Sequence, residues 1–530
     1  MPPTQGHKPG FDVPLELCIL IAHFSTRRSL ARLARVSRRL HAIFSPLLHE
    51  HLRYPPLSRA ETLGYLRSYC DTSTGRMIPH PASLVKELAL SDVKRSDRWK
   101  DITKLEEALN ALPLRHPGAL FSPLRVLHWN IDCKLDVLCS LLGDPGSFPS
   151  LKELFVICVD ANEATSFSFM HKRDLEAFGL DIYFDLASAM DADVATEVMY
   201  RLTEALRTLP TTSPSLQTLQ LKIMIEHWDD FPLIQPYSDL DAALRTLCFN
   251  TLHTLSLCFD FFNTEDTTQK VSVDLAPLLQ NHLRLSALTL DVYGTQLSSA
   301  MTWLHRLHSF SGTFSNAAAL LSIAVHLQEL TLHFIHDDHW TLPSFDAPPV
   351  PKHSGVSKLV VEAFDLYRSP LKAPNQLTPE ALTGIVASFP NLVHLDIVVN
   401  QDITNYREIL LGLVHLRTLR MQTYIAQKIR KHEELSNAFP ASDYLADIQT
   451  LVPTLKKLED VRIKLLVDDF VPMDCGCDGC NECSVWIEMM GSPAQYCVVY
   501  RFGVGRGGVL LLSKVCRRYG EEGYNNEDGM

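Results

Sequence analysis

The sequence lacks the long apolar run that a membrane-spanning helix requires. Such a helix needs about 18–20 consecutive apolar residues, and no segment of the 530-residue chain approaches that length. The apolar stretch at residues 17–24 follows Asp12 and Glu16, without the basic leader or small-residue cleavage site of a signal peptide. We therefore expect a protein that has no membrane partner.

Motifs of the common catalytic sites are also missing. The sequence contains no P-loop, H-E-x-x-H, G-x-S-x-G or kinase signature. Residues 503–508 match G-x-G-x-x-G, but a dinucleotide site needs a helix and a second strand after it, and only 22 residues remain. A hairpin between residues 497–502 and 509–512 explains these glycines better. We predict that the protein is not an enzyme and has no cofactor.

An excess of basic residues is missing as well. The net charge of −12 gives no reason to expect nucleic-acid binding, which needs clustered Lys and Arg. One local exception is a group of arginines near the start: Arg27, Arg28, Arg32, Arg35, Arg38 and Arg39. They could form a basic helical face for an acidic partner, or a face that is merely solvated.

Cysteine is not arranged as a disulfide framework. The 13 cysteines occur singly before position 475, mostly in apolar contexts, which is typical of buried thiols in a reducing compartment. We therefore expect a cytoplasmic or nuclear location. Cys475, Cys477, Cys480 and Cys483 form one dense cluster. It could bind a metal, hold redox-labile thiols or form a flexible loop, and because four ligands within nine residues would be crowded, we assign no metal site.

What the chain does contain is a repeated motif, L-x-x-L-x-L. At 530 residues the chain is too long for one compact core, so several domains or a repeat array are expected. Each motif supplies a short strand whose alternate residues point into a core. The first residues of the motifs are Val85, Leu124, Leu151, Leu216, Leu252, Leu285, Leu327, Val356, Leu392, Leu416 and Leu458.

One complete unit lies at residues 378–400. Thr378-Pro379 can start a helix, Leu382, Ile385 and Phe389 follow at helical spacing, and the strand of Leu392 comes after a Pro-Asn turn. Motif intervals run from about 24 to over 40 residues, and several exceed the 20–29 of regular leucine-rich repeats. The pattern predicts an α/β fold: an irregular leucine-rich repeat solenoid, parallel strands inside and helices outside, with insertions that include residues 161–190 and 335–354. An ordinary α/β domain with leucine-rich strands is the alternative.

Outward positions on the predicted strands are polar and could contact a target protein. Those that we select for this role are Glu329, Thr331, His333, His394, Asp396 and Arg420. Mixed polar side chains on a rigid sheet suit protein recognition, although a solvated face without a partner would have the same composition.

The first fifty residues predict a small helical module. Pro14 can open a helix that runs through Leu17 and Leu20, and Ser25-Thr26 ends it. A second helix from about Ser29 to Phe44 is expected to stop at Pro46, before a short third helix over residues 47–52. About 45 residues cannot easily bury their own apolar faces. The module is therefore either a cap on the repeats or a partner for another protein.

This segment resembles the F-box, which opens with Leu-Pro-x-Glu-Leu/Ile and continues as Asp-Leu-x-x-Leu-x-x-Val-Ser/Cys-Arg-x-Trp/Phe. The chain has Val13-Pro14-Leu15-Glu16-Leu17 and later Ser29-Leu30-Ala31-Arg32-Leu33-Ala34-Arg35-Val36-Ser37-Arg38-Arg39-Leu40. The departures from the pattern are Val13, Ser29 and Leu40. The resemblance implies docking onto the linker subunit of a cullin–RING (SCF-type) ubiquitin ligase. The residues that would then contact the linker subunit are Val13, Pro14, Glu16, Leu17, Leu20, Leu30, Leu33 and Val36.

We therefore expect three regions: an F-box-like module at residues 11–54, a leucine-rich repeat array at 80–470, and a Cys/Gly-rich extension at 471–530. The F-box/leucine-rich repeat resemblance implies a non-catalytic substrate receptor that binds the linker subunit and an unknown protein target. The alternative is a leucine-rich repeat scaffold that has no connection with ubiquitination.

Overall fold

The architecture was determined from a computed structural model. The residues that it describes are 14–53, 85–91, 123–130, 135–143, 148–159, 166–186, 189–227, 234–261, 274–292, 297, 302–321, 323–333, 355–362, 379–399, 403–425, 441–468, 495–505 and 508–518. Val13, the cluster Cys475–Cys483 and the predicted insertion at 335–354 lie outside the described residues.

Three short helices open the described chain: α1 (Leu15–His23), α2 (Arg27–Leu33) and α3 (Arg38–Glu50). Two hydroxyl caps set these boundaries. The Thr26 side chain accepts a hydrogen bond from the Ser29 amide at 3.2 Å, and the Ser37 hydroxyl accepts one from the Leu40 amide at 3.1 Å. Since Ser, Thr, Asp and Asn satisfy the unpaired amides at helix starts, each hydroxyl starts a new helix.

The expected single helix from Ser29 to Phe44 is therefore wrong, because Ser37 starts a separate helix. Pro46 was expected to end that helix but lies inside α3. The expected third helix over residues 47–52 is also wrong, since α3 continues to Glu50 and the strand β1 follows. A proline in a helix removes one amide hydrogen bond, and here α3 continues past it.

The three helices share a small core. It consists of Cys18, Leu30, Ala34 and Phe44, with partly buried neighbours that include Leu33. Contacts join α1 to α3 and α2 to α3. Four buried side chains are few for about 37 residues, and a core of this size leaves much of the apolar surface of the helices uncovered.

The chain divides into two compact units, Met1–Thr251 with Phe261–Asp266, and Leu252–Asp260 with Thr267–Met530. Strands of the first unit pair in parallel and in chain order. They are β1 (His51–Arg53), β2 (Glu87–Ser91), β3 (Val126–Asn130), β4 (Glu153–Val159), β5 (Ala177–Leu186) and β6 (Thr218–His227). Its further helices are α4 (Leu135–Gly143), α5 (Ala189–Thr212) and α6 (Ile234–Thr246), with a 3₁₀ turn at Ser168–His171.

Most strands of the second unit are also parallel and follow chain order. They are β7 (Thr254–Phe261), β8 (Ala287–Val292), β9 (Ser309–Thr313), β10 (Glu329–His333), β11 (Lys358–Glu362), β12 (His394–Val399), β13 (Thr418–Ile425) and β14 (Asp460–Asp468). Its helices are α7 (Ala276–Asn281), α8 (Phe314–Leu321), α9 (Pro379–Ser388), α10 (Ile403–Leu410) and α11 (Ala441–Leu451), with a 3₁₀ turn at Thr302–Arg306.

All eleven sequence motifs coincide with strands of these two units. In the motif at Leu216, for example, Leu216, Leu219 and Leu221 are at most 2% exposed, and the outward Gln220 is half-buried. The described part of the unit predicted at 378–400, residues 379–399, forms the expected helix α9, turn and strand β12, with Leu382 and Ile385 fully buried. Parallel strands joined by helices, with inward leucines, are the architecture of leucine-rich repeats. The predicted leucine-rich repeat fold is confirmed.

Two repeat strands of the structure, β5 and β9, do not match the L-x-x-L-x-L motif. Residues 161–190, predicted as an insertion, contain β5, so that prediction is wrong: Leu175, Phe178 and Leu180 fill the three buried positions of a repeat. In the repeat of β9, Leu307 just before the strand and Phe310 within it fill the first two of these buried positions. Phenylalanine occupies the middle position in both, and it buries as well as leucine does.

The last two strands form the hairpin that the glycines predict. The strand β15 (Gln495–Gly505) pairs antiparallel with both β14 and β16 (Gly508–Arg518). The G-x-G-x-x-G match thus lies at a hairpin connection. The boundaries at residues 54, 80 and 471 stay predictions.

Candidate interaction surfaces

Helix α1 carries an apolar surface that its own module leaves uncovered. Its sequence, LELCILIAH, is apolar except for Glu16 and His23, yet the buried member of this helix is Cys18, with Ala22 packed beside it. Leu17 is 50% exposed, Leu20 53% and Phe24, just after the helix, 86%. We call the exposed side chains of this segment the N-terminal apolar face: Leu15, Leu17, Ile19, Leu20, Ile21 and Phe24.

This exposure follows from the spacing of the buried residues. Cys18 and Ala22 are four residues apart and therefore form one narrow stripe, which packs on the rest of the module. A surface helix normally buries its apolar residues and exposes polar ones, whereas α1 exposes most of its apolar residues. Contiguous exposed apolar patches on folded proteins mark interaction sites. The N-terminal apolar face has the character of a surface for another protein.

The residues that the F-box resemblance selects fall into two groups. Pro14, Glu16, Leu17 and Leu20 are exposed on or beside α1, and Val36 is 70% exposed in the turn between α2 and α3. The remaining two lie deeper. Leu30 is buried in the module core and Leu33 packs partly against it. Leu30 and Leu33 therefore belong to the core of the module and not to its exposed surface.

Basic side chains are also exposed on the module. Arg32 on α2, Arg35 in the turn that follows and Arg38 at the start of α3 are exposed. The side chains of Arg27 and Arg28 lie outside the described residues. An apolar face with arginines on the same small module would suit a partner that is apolar at its centre and acidic at its rim.

The selected polar residues of the second unit lie together on its sheet. Thr331, Asp396 and Arg420 share one row across β10–β13, in which Val360 is the fourth member. Glu329 and His394 share the row two residues earlier, on either side of Lys358. The backbone of His333 belongs to β10, whereas its side chain lies outside the described residues.

The same rows contain charges that the sequence analysis missed. Arg420 stands level with Arg462 on β14, and Arg462 with Arg501 on β15. Asp460 lies 3.3 Å from Arg462 and 2.9 Å from Arg501, and Asp396 lies 3.7 Å from Arg420. Partly exposed pairs of this kind contribute little to stability. Their ordered pattern suits selection of a partner by charge.

On the sheet of the first unit, aromatic side chains occupy outward positions. His128 stacks on Phe155 with ring centroids 4.9 Å apart, and the Lys222 ammonium lies 5.3 Å from the centroid of Tyr183. Burial raises the pKa of Asp181, and the neighbouring Lys222 opposes that rise only in part. Aromatic and charged groups together on a rigid surface are characteristic of protein interfaces.

Within the described ranges, no group of three or more His, Cys, Asp and Glu side chains could hold a metal ion. No helix in those ranges is long and apolar enough to cross a bilayer. The predicted alternatives for Cys475–Cys483 concern residues outside those ranges and stay predictions.

No protein-family model matches the chain, and no curated protein matches it. Among solved structures, an internalin from Listeria monocytogenes has a TM-score of 0.26 and 14% sequence identity, and the match covers 78% of this chain and 92% of the internalin. The mouse RP105/MD-1 complex has a TM-score of 0.23 and 16% identity, covering 58% of this chain and 53% of the matched chain. The repeat architecture therefore stands on the strands and buried leucines described above.

Proposed function

We propose that this protein is a non-catalytic adaptor, the substrate receptor of a cullin–RING ubiquitin ligase. Its N-terminal helices would bind the small linker subunit of the ligase, and its leucine-rich repeats would bind a target protein. The observation that carries the proposal is the N-terminal apolar face, which lies exposed in the segment that resembles an F-box.

The proposal needs no covalent chemistry from this chain. A target held on the repeats is brought close to the ubiquitin-charged enzyme that the other subunits position. Linking two binding surfaces in one molecule raises the local concentration of one partner near the other. The ordered repeats supply a firm surface for the target, and the short helices supply the link.

The energetics of docking follow from the exposed fractions. Complete burial of a leucine side chain contributes about 1.5–3 kcal/mol. Leu17 and Leu20 are each about half exposed, so a partner that covers them gains about 1 kcal/mol from each. Removal of both side chains should therefore cost about 2 kcal/mol, which is about a 30-fold rise in Kd.

The decisive experiment measures binding of the full chain to the purified linker subunit by calorimetry. We expect binding by the wild type, and a Kd about 30-fold higher for Leu17→Ala with Leu20→Ala. Alanine keeps the helix propensity high, so the fold of α1 is preserved. The matched control is Leu510→Ala with Leu512→Ala, which are 70% and 58% exposed on β16 and should leave the Kd unchanged.

Failure of the wild-type chain to bind the linker subunit would remove the ligase role. An equal loss of affinity in the control would show that general stickiness, and not the N-terminal apolar face, produced the binding. The thermal midpoint of each variant should stay near that of the wild type, because the substituted side chains are exposed.

A repeat scaffold whose first helices act only as a cap is the second candidate. One observation favours it: α3 leads directly into β1, with the Lys86 amide donating to the Glu50 carbonyl at 2.9 Å and the Lys86 ammonium 2.7 Å from the Glu50 carboxylate. Deletion of residues 1–50 separates the two candidates. A cap deletion lowers the urea midpoint of the remaining repeats, whereas deletion of a docking module leaves that midpoint unchanged.

A further inference from the structure

A groove of about 450 Å³ lies where the chain enters the strands β7 to β10 of the second unit. Its backbone is a regular ladder. The His253 carbonyl accepts from the Ser286 amide, the Ser286 carbonyl from the His308 amide, and the His308 carbonyl from the Gln328 amide, each at 2.8 Å. Because each of these residues precedes its strand in the same register, their side chains form one row along the edge of the sheet. We call this surface the edge groove.

A second row lies two residues earlier in each repeat. It contains Arg284, Arg306 and His326, all exposed, and buried leucines such as Leu285 separate the two rows. The rings of His308 and His326 stack with centroids 6.3 Å apart and an interplanar angle of 15°. Neighbouring strands are about 4.8 Å apart, so Arg284 and Arg306 occupy equivalent positions on the turns before two neighbouring strands, β8 and β9.

The charge of the edge groove is opposite to that of the chain. Two arginines supply its positive charge and three histidines line it beside them. The lining residues, all of which are described, include no carboxylate. The acidic residue nearest in sequence, Glu329, pairs with Lys358 at 3.4 Å. A chain with a net charge of −12 would give an acidic edge if charge were distributed at random. The edge groove is therefore a local concentration of positive charge.

We propose that the edge groove binds an acidic segment of a protein partner, with Arg284 and Arg306 contacting carboxylates in an extended peptide. Guanidinium groups bind carboxylates through paired charge-assisted hydrogen bonds. Four neighbouring turns span about 14 Å, the length of about four extended residues. The acidic remainder of the chain repels a long polyanion, which disfavours nucleic acid as the occupant.

This inference rests on the proposed function in one respect: the acidic segment is assigned to the target that the adaptor would hold. The two can fail separately. The Leu17→Ala with Leu20→Ala variant should keep full affinity for an acidic peptide, because its substitutions lie in the N-terminal module. Loss of the ligase role would leave the peptide site in place.

The test uses the full chain and a fluorescent eight-residue peptide in which Glu and Gly alternate, with anisotropy measured at low salt. The reference peptide replaces each Glu with Gln. We expect the Glu peptide to bind at least tenfold tighter than the Gln peptide, since one charge-assisted hydrogen bond contributes about tenfold in affinity. Arg284→Gln with Arg306→Gln should remove that difference, and raised salt should weaken it.

The matched control is Arg201→Gln with Arg207→Gln, which removes the same charge from helix α5 in the other unit. It should change affinity less than twofold. Three results would overturn the proposal: equal affinity for the Glu and Gln peptides, equal loss in the control and groove variants, or tighter binding of an eight-nucleotide thymidine oligomer than of the Glu peptide.

Discussion

Replacing Phe178 with alanine tests whether residues 161–190 belong to the repeat sheet. Phe178 lies on β5, is completely buried, and has its ring centroid 6.4 Å from that of Phe169. If this segment were an insertion beside the sheet, truncation of one aromatic side chain would remove few contacts. In the structure the same truncation opens a cavity between β5 and the 3₁₀ turn that carries Phe169.

The magnitude follows from the burial. A fully buried phenylalanine truncated to alanine costs about 3–5 kcal/mol, because the transfer free energy of the ring and the cavity term add. Phe155→Ala is the matched control on the neighbouring strand. Phe155 occupies an outward, half-buried position, where it stacks on His128 and covers Gly179. Its removal should cost about 1 kcal/mol.

Urea unfolding followed by far-ultraviolet circular dichroism and by fluorescence provides the measurement. With an m-value of about 3 kcal/mol per M for a unit of this size, Phe178→Ala should lower the urea midpoint of the first unit by about 1 M or more. Phe155→Ala should lower it by about 0.3 M. A shift for Phe178→Ala no larger than that of the control would refute the assignment of β5 as a repeat strand.

Two buried or partly buried ionisable groups give pH-dependent predictions. Burial lowers the pKa of His282, although its Nδ1–H donates to the Leu278 carbonyl at 2.7 Å, so below about pH 6.5 the unfolded chain takes up a proton before the native one. His282→Asn should therefore lose less stability than the wild type in urea titrations between pH 7.5 and 5.5, and an identical loss would contradict this. Burial raises the pKa of Asp181, so native stability falls as pH rises above about 4. Asp181→Asn should be more stable than the wild type at pH 7.5 in thermal unfolding, with a gain that shrinks towards pH 4, and a gain independent of pH would contradict the cause.

The repeat strands could be predicted from sequence because their inward positions are uniform. Residues such as Leu255 and Leu257 are fully buried, and every second residue must be apolar when one flank of a sheet faces a core. The two missed strands follow the same physics with a different residue. Phe178 and Phe310 fill the place of a leucine, and in β9 Gly312 takes the next inward position, where a Cβ atom would lie 2.5 Å from the Leu290 carbonyl oxygen.

Features that depend on spatial register could not be predicted in the same way. Arg420, Arg462 and Arg501 are up to 81 residues apart in the chain (501 − 420), and only the pairing of β13, β14 and β15 brings them level. The edge groove has the same origin, since its arginines stand in different repeats. In the helical module, the hydroxyl of Ser37 starts α3 within a segment whose apolar spacing favoured one continuous helix.

The repeats and the helical module bury their apolar side chains to different extents, and this difference favours the proposed adaptor over the cap. The inward leucines of the repeat strands, such as Leu219 and Leu257, are already buried in this chain, so they need no other protein to cover them. Helix α1 instead buries Cys18 and leaves leucines on its other sides at about half exposure. Contiguous exposed apolar surface carries a risk of aggregation, and a polar residue at Leu17 or Leu20 would reduce that risk without loss of core packing. A protein partner that covers α1 accounts for leucine at both positions, whereas a simple cap does not.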